Sequence, residues 1–188
     1  MPHFYFENIP EEIDQIGEYW IDRKNGLIYF LGDEDLSGLM LTSLETPMIE
    51  VKNTSNITFE DLNFSFGRNH GIVINKCQKI VVNRCQLSNF SKGGIDASGK
   101  SIRILNSHVY GMGAFGIRLK GGNLSSLEPA DNEVINCHIH DFGWEQKSQM
   151  AAVSIYGVGH RVAHNEIHDA SHFGILIRKS NDVTVAFN

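Results

Sequence analysis

Apolar and polar residues alternate along most of the chain in runs of three to five, and Asn, Gly, Ser and Asp separate the runs. Such alternation is typical of β-strands, whereas an amphipathic helix needs apolar residues three and four positions apart. No stretch of the sequence has that helical spacing. The pattern therefore predicts an all-β chain of short strands and turns.

A small residue followed by an apolar-x-apolar pattern recurs along the chain. Its central residues are Ile49, Ile72, Ile95, Ile117, Val153 and Ile175. A second anchor ends each unit, at Phe64, Leu87, Val109, Ile139 and Ile167. Both series indicate a period of 22 to 23 residues, with insertions after Lys120 and after Phe142.

Each period contains three short strands and three turns, which predicts a parallel β-helix. A leucine-rich repeat has a similar length, but its L-x-x-L-x-L-x-x-N motif and helical segment are absent. In a β-helix, residues at the same repeat position form ladders with rungs ~4.8 Å apart. Asn63, Asn83, Asn106, Asn136, Asn165 and Asn188 fall at nearly the same turn, a position that suits Asn.

The two ends of the chain differ from this repeat. Residues 1–47 do not join the ladders, and they predict a β-rich N-terminal cap with a hairpin that turns at Lys24–Gly26. Residues 48–188 form the predicted β-helix. The chain stops at Asn188, within the second strand of a coil, so we expect the β-helix to be truncated at its C-terminal end.

Composition narrows the classes of function. The 188 residues include 22 acidic and 16 basic side chains, and no long run of like charge suggests nucleic-acid or membrane-surface binding. No apolar run is long enough to span a membrane. The start of the sequence has no secretion signal, so the sequence leaves the localisation open. A longer full-length protein that contains this chain could be secreted or periplasmic. The three cysteines have no metal or disulfide spacing and are predicted to be buried thiols.

Two segments, Phe6–Phe30 and Asn132–Ile177, resemble the pectin-lyase-like right-handed parallel β-helix proteins, and in particular the bacterial right-handed β-helix repeat proteins. The resemblance extends over essentially the whole chain. It implies a single-stranded right-handed parallel β-helix and an activity as a polysaccharide lyase or glycoside hydrolase. Proteins of this group are typically longer at both ends.

One candidate site lies on the strands anchored by Ile72, Ile95 and Ile117, whose outward positions form two rows. One row contains Asp96 and Arg118, and the other contains Lys120, Tyr156 and Arg178. β-Elimination of a uronate needs a cation, a base and an acid, which these residue types supply. Arg178 is a candidate for substrate binding. The alternative is that Asp96 and Arg118 form an ordinary surface ion pair.

A second candidate site lies on another strand. His138 and His140 share one face, Glu166 and His168 occupy the same two positions one coil later, and His108 extends the row. This set predicts a divalent metal site, for calcium or a transition metal, and no other cofactor is predicted. The alternatives are a hydrogen-bonding or catalytic role for His140 and His168, and a solvated ladder of imidazoles.

Asp141 and Asp169 follow these histidines in a repeated IHD tripeptide. Carboxylates one rung apart are ~5 Å from each other, which is near the separation in retaining glycosidases, whereas Asp96 as a more distant partner suits inversion. An Asp at this position also caps turns. Trp144 in the second insertion is a candidate for stacking on a sugar, or else covers the coil.

These observations predict a carbohydrate-active protein that cleaves a polysaccharide or oligosaccharide in a groove on the coil surface. Arg118, Lys120 and Tyr156 favour elimination, and Asp141 and Asp169 favour hydrolysis. The competing hypotheses are a non-catalytic glycan-binding or structural β-helix, and an incomplete fragment of a larger enzyme.

Overall fold

The computed structural model describes residues 6–32 and 37–188; the rest of the predicted cap lies outside the described residues. The chain divides into two compact units, Met1–Met40 and Leu41–Asn188. The first contains a 3₁₀ turn at Pro10–Glu12 and the antiparallel strands β1 (Tyr19–Asp22) and β2 (Leu27–Phe30). These strands are the predicted hairpin. The boundary at residue 47 and the capping role stay predictions.

The second unit is built from parallel strands. They are β3 (Ile49–Lys52), β4 (Ser55–Glu60), β5 (Asn63–Gly67), β6 (Ile72–Asn83), β7 (Gln86–Phe90), β8 (Ile95–Lys100), β9 (Arg103–Leu105), β10 (His108–Met112), β11 (Ile117–Gly121), β12 (Asn132–Ile135), β13 (His138–Phe142), β14 (Ala151–Ala163), β15 (Glu166–Ile167) and β16 (Phe173–Ala186). β5, β7, β10, β13 and β15 form a five-stranded sheet, and the other nine strands of this unit form a second sheet. The described residues contain no α-helix. The architecture is all-β and fits a parallel β-helix.

Strand pairing confirms the predicted ladders. The six anchors of the first series pair in sequence from Ile49 to Ile175, and the five of the second series pair from Phe64 to Ile167. The longer steps fall where the two insertions were predicted, because strand pairing resumes in register after each of them.

Three coils differ from the predicted arrangement of three separate strands. β6, β14 and β16 each continue through the first corner of the coil as a single strand of 12 to 14 residues. The register shifts there, between Asn75 and Cys77 and between Ile155 and Gly157. The extra residue lies in β6 at the first shift and in β16 at the second, and the left-handed residues Lys76 and Lys179 bend the chain at these corners. A single bulged residue therefore turns the strand and leaves its hydrogen bonds to neighbouring coils in place.

The anchor residues and their neighbours two positions along fill the interior of the coil. Ile72, Ile95, Ile117 and Leu119 are completely buried. The three cysteines are free and buried, as predicted, and burial raises the pKa of the Cys137 thiol to about 11. Each strand thus directs alternate side chains into the core and outward, which creates the two outward faces considered below.

Left-handed residues also recur at the other corners of the coil. One such position holds Asn106 and Asn136, whose side chains form part of a ladder of amide hydrogen bonds. The predicted asparagine turn is therefore only partly correct: Asn63 and Asn83 lie in strands, and the buried Asn165 lies one position later. A second left-handed position lies one residue before the end of β5, β7, β10 and β13, and two residues after the end of β15. It is occupied by Phe66, Asn89, Gly111, Asp141 and Asp169.

Candidate functional site

On the nine-stranded sheet, two cations meet one carboxylate. The Asp96 carboxylate lies 3.2 Å from the Arg118 guanidinium and 3.2 Å from the Lys120 ammonium. Tyr156 is the strand partner of Lys120 on the next coil. The structure therefore brings together four of the residues that the sequence suggested for elimination. Arg178 lies within the register shift, between Ile177 and Ser180, and donates a hydrogen bond to Gln149.

His70 also belongs to this face, although the sequence did not single it out. The Gly93 N–H donates to its Nδ1 at 2.9 Å. Burial lowers the pKa of His70; the nearby Asp96 opposes this shift, and Lys92 and Arg118 reinforce it. A neutral imidazole therefore lies close to the Asp96 cluster. His70 directly precedes the repeat glycine Gly71. Because the equivalent positions on other coils have no histidine, the repeat pattern does not single it out.

Phe115 is a second residue that sequence reasoning missed. The guanidinium carbon of Arg118 lies 3.7 Å from the centre of the Phe115 ring. The same ring lies 5.4 Å from that of His70. Phe115 therefore holds Arg118 by a cation–π contact in addition to its ion pair.

On the five-stranded sheet, polar side chains form two outward rows. The first row contains Gln86, His108, His138 and Glu166, and the second contains Ser88, Tyr110, His140 and His168. We call His108, His138, His140 and His168 the imidazole ladder. The predicted positions of these histidines on adjacent coils are confirmed by the strand register.

Hydrogen bonds in the imidazole ladder run diagonally, from the first row of one coil to the second row of the next. The Nε2 atoms of His108 and His140 are 2.7 Å apart, and those of His138 and His168 are also 2.7 Å apart. Gln86 donates to the hydroxyl of Tyr110 in the same diagonal direction. Register alone suggested contacts straight across the rungs, whereas the bonds cross between rows because each ring is long enough to reach the diagonal neighbour.

Each second-row histidine on the last two coils contacts the aspartate that follows it. Nδ1 of His140 lies 2.7 Å from the Asp141 carboxylate, and Nδ1 of His168 lies 2.7 Å from that of Asp169. An ionised carboxylate only accepts hydrogen bonds, so these Nδ1 atoms carry protons. With the proton on Nδ1, the Nε2 atom of each ring is the acceptor for its diagonal partner. The left-handed conformation of Asp141 and Asp169 lets the side chain turn back to the ring.

Burial and the neighbouring imidazoles both lower the pKa of His108, which lies at the more buried end of the imidazole ladder. Burial is the main cause that lowers the pKa of His108, and the other three imidazoles of the ladder lower it further. His108 also stacks on His138, with ring centres 4.6 Å apart and planes at 3°. A neutral His108 donates through Nε2 to His140, which is the arrangement that the short diagonal contact requires.

An open cavity of about 420 Å³ lies beside the two aspartates. Asp141, Asp169, Trp144 and Lys147 line it. The Trp144 side chain is 54% exposed, so it does not serve as a buried cover for the coil. The N–H groups of Gly143 and Trp144 donate to Met112, which fixes the start of this insertion to the neighbouring coil. An exposed indole on an anchored loop is a suitable surface for stacking on a sugar ring.

Two sets of potential metal ligands lie in the described part of the ladder. His108, His138 and His140 form one set, and His138, Glu166 and His168 form the other; within each set the ligand atoms lie within 4.8 Å of one another. The four residues predicted from the sequence therefore divide between two overlapping sets. His140 belongs with His108, and the other three form a set by themselves.

Among the described residues, no helix is long and apolar enough to cross a membrane. No match was found among the curated proteins or among the solved structures. The model of one family, described as the right-handed β-helix region, matches residues 47–185 and covers the repeating unit almost completely. Because the match includes well over half of the chain, this protein belongs to the right-handed β-helix region family.

Proposed function

We propose that this protein is a carbohydrate-active member of the family, related to the pectin-lyase-like enzymes, and that it hydrolyses a polysaccharide in the cavity beside Trp144. In this proposal the coils form one single-stranded right-handed β-helix that supports the site. The observation that carries it is the cavity itself, in which an exposed indole lies beside two carboxylates on adjacent rungs.

The spacing of Asp141 and Asp169 supports hydrolysis with retention of configuration. The His140 and His168 rings that contact these carboxylates are stacked with centres 4.8 Å apart and planes at 5°. Each carboxylate has the same 2.7 Å contact to its ring, so the two carboxylates are about 5 Å apart. Retaining glycosidases hold their two carboxyl groups about 5 to 5.5 Å apart.

The proposed reaction divides its steps between these two groups. One carboxylate attacks the anomeric carbon in its ionised form, while the other must start protonated and gives its proton to the leaving glycosidic oxygen. The second group then takes a proton from water as the water oxygen attacks the anomeric carbon, and the bond between the sugar and the first carboxylate breaks. His140 and His168 orient the carboxylates through their Nδ1–H groups, and Trp144 holds a neighbouring sugar ring by stacking.

A second candidate function is β-elimination on the nine-stranded sheet. The specific observation in its favour is the neutral His70 near the Asp96 cluster, because elimination needs a base close to a cation that binds the uronate carboxylate. Arg118 and Lys120 supply the positive charge, and Tyr156 is the acid for the leaving oxygen. Against it, Asp96 already neutralises part of that charge.

The test is digestion of a panel of acidic and neutral polysaccharides, with reducing ends and the ultraviolet absorbance of unsaturated uronates measured together. We expect reducing ends without absorbance. Asp141→Asn and Asp169→Asn should each lower the rate by at least about 100-fold. Asn is tolerated in the left-handed conformation, and Asn89 occupies the same position on another coil. The matched control is Asp182→Asn, a left-handed aspartate outside the site, which should retain full activity.

Other outcomes identify the competing functions. Absorbance that rises with reducing ends, and that is lost in Lys120→Ala, would replace hydrolysis by elimination. Binding of a polysaccharide without cleavage, weakened by Trp144→Ala, would make the protein a glycan-binding β-helix.

A further inference from the structure

One of the two ligand sets in the imidazole ladder is arranged for a metal ion, and ring orientation identifies it. A metal bound to an imidazole nitrogen lies in the plane of the ring. The ring planes of His108 and His138 differ by 3° and the ring centres are 4.6 Å apart, so no point near the rings lies in both planes. The set that contains both rings therefore cannot bind one ion without reorientation.

The set formed by His138, Glu166 and His168 does not have this obstacle. The two rings are tilted by 42°, and their Nε2 atoms are 2.7 Å apart. Two imidazole nitrogens on a tetrahedral ion, each ~2.05 Å from it, are ~3.3 Å apart. The pair thus needs to open by about 0.6 Å, and each ring must turn so that its Nε2 lone pair points at the ion and no longer at the other ring. The third ligand is an exposed carboxylate on a flexible side chain, which can follow this movement.

His168 already has the tautomer that a metal needs. Its Nδ1–H points at the Asp169 carboxylate at 2.7 Å, which leaves the Nε2 lone pair directed at His138. A carboxylate behind the ligating histidine is the usual orienting partner in metal sites. His138 changes tautomer on binding: its proton leaves Nε2 for Nδ1, and the charge of the ring does not change.

The ion has a path from solvent. An open cavity of about 370 Å³ is lined by His138 and Glu166, together with His164 and Phe187. Two imidazoles and one carboxylate leave at least one position of a tetrahedral ion for water. Imidazole ligands favour zinc and its neighbours in the transition series over calcium and magnesium, which prefer oxygen.

We propose that His138, Glu166 and His168 bind one divalent transition-metal ion, with Zn²⁺ as the ion used to test binding, and that Asp169 orients His168. The site does not depend on the proposed glycoside hydrolysis, and metal binding is measured without a substrate.

The test is titration of the full chain, freed of metal by a chelator, with Zn²⁺ by calorimetry and with Co²⁺ by visible absorption. We expect one ion per chain and a tetrahedral Co²⁺ spectrum. Gln is the natural substituent, because Gln86 occupies the same row on another coil. His138→Gln and Glu166→Gln should each weaken binding, the former by more than about 100-fold. Asp169→Asn should weaken it by about 10- to 100-fold.

Two controls separate this site from the alternatives. His108→Gln removes a ligand of the other set, in the same row. It should leave the affinity for Zn²⁺ within about threefold, since His108 is not a ligand of the proposed site. His164→Asn removes an imidazole that lines the entry cavity but is not one of the three ligands, at a left-handed position where Asn106 and Asn136 stand on other coils, and it should leave the affinity for Zn²⁺ within about threefold. Each variant is checked for an unchanged far-ultraviolet circular dichroism spectrum.

Three results would overturn the proposal: no stoichiometric binding, binding that survives His138→Gln, or a loss in His108→Gln as large as that in Glu166→Gln. If binding is confirmed while every polysaccharide is left intact, the metal site stands and the proposed hydrolysis does not.

Discussion

The inward and outward alternation of the first ladder can be tested at two positions of one strand. Ile117 is completely buried between Ile95 and Val153 on the adjacent coils. Lys120, three residues later, points outward to Asp96 and remains 43% exposed. Because three is an odd number, the two side chains lie on opposite faces of β11. Alanine at these two positions should therefore have very different effects on stability.

The magnitudes follow from what each substitution removes. Ile117→Ala deletes three carbon atoms from a site without solvent access, at about 0.8 kcal/mol each. The cavity that remains in a rigid ladder adds a further cost, so we expect a total of about 3 to 4 kcal/mol. Lys120→Ala removes only a partly exposed ion pair, worth about 0 to 1 kcal/mol, and Asp96 keeps its contact with Arg118.

Equilibrium unfolding in urea, followed by far-ultraviolet circular dichroism, measures both effects. The midpoint should fall strongly for Ile117→Ala and little for Lys120→Ala. Equal losses in the two variants, or a larger loss for Lys120→Ala, would refute the assignment of inward and outward positions along β11.

The remaining predictions concern pH, packing and reactivity. Burial lowers the pKa of His70, so the neutral ring's contribution to folding stability is complete above about pH 6.5 and is lost as the pH falls through the lowered pKa. The urea midpoint of the protein should therefore fall between pH 7.5 and 5. In His70→Gln this fall should be smaller. In Gly94→Ala, the new Cβ would lie 2.6 Å from Val109, which should lower the free energy of unfolding by about 1 to 3 kcal/mol. Gly174 occupies the same repeat position, but the nearest contact of its new Cβ is at 3.6 Å, so Gly174→Ala should be tolerated. Thermal unfolding of both variants measures the difference. Burial raises the pKa of Cys137 to about 11, so a thiol reagent at pH 8 should modify this residue only after denaturation, and fast labelling of the native protein would contradict its burial.

The two outward faces of the coil offer different chemistry. The nine-stranded sheet presents an ion cluster around Asp96, in which charges compensate one another. The five-stranded sheet presents imidazoles and exposed carboxylates, with an indole beside them. Since the second face combines an open cavity with an exposed indole and two carboxylates, it is the better surface for the proposed hydrolysis, and it also contains the proposed metal ligands.

The sequence by itself determined the parallel pairing of the strands, because a β-helix repeats along one direction. Each coil contacts its neighbours at a fixed offset, so the spacing of anchors such as Ile95 and Ile117 specifies which strands pair and in which register. The same spacing located both insertions and placed Asp96 beside Arg118, and His138 beside Glu166. These relations depend on the backbone repeat alone.

Only the tertiary structure decided what the side chains on those ladders do. A ladder position fixes where a Cβ atom lies, but ring tilt and side-chain length decide which neighbour the side chain bonds. His138 therefore forms a hydrogen bond with His168, whereas it only stacks on His108. The exposure of Trp144 depends on how its insertion is anchored to another coil. His70 could not be recognised from the repeat, because its environment is made by residues that follow it by 20 or more positions. Such contacts depend on side-chain conformations within the assembled coils, which a periodic sequence pattern does not encode.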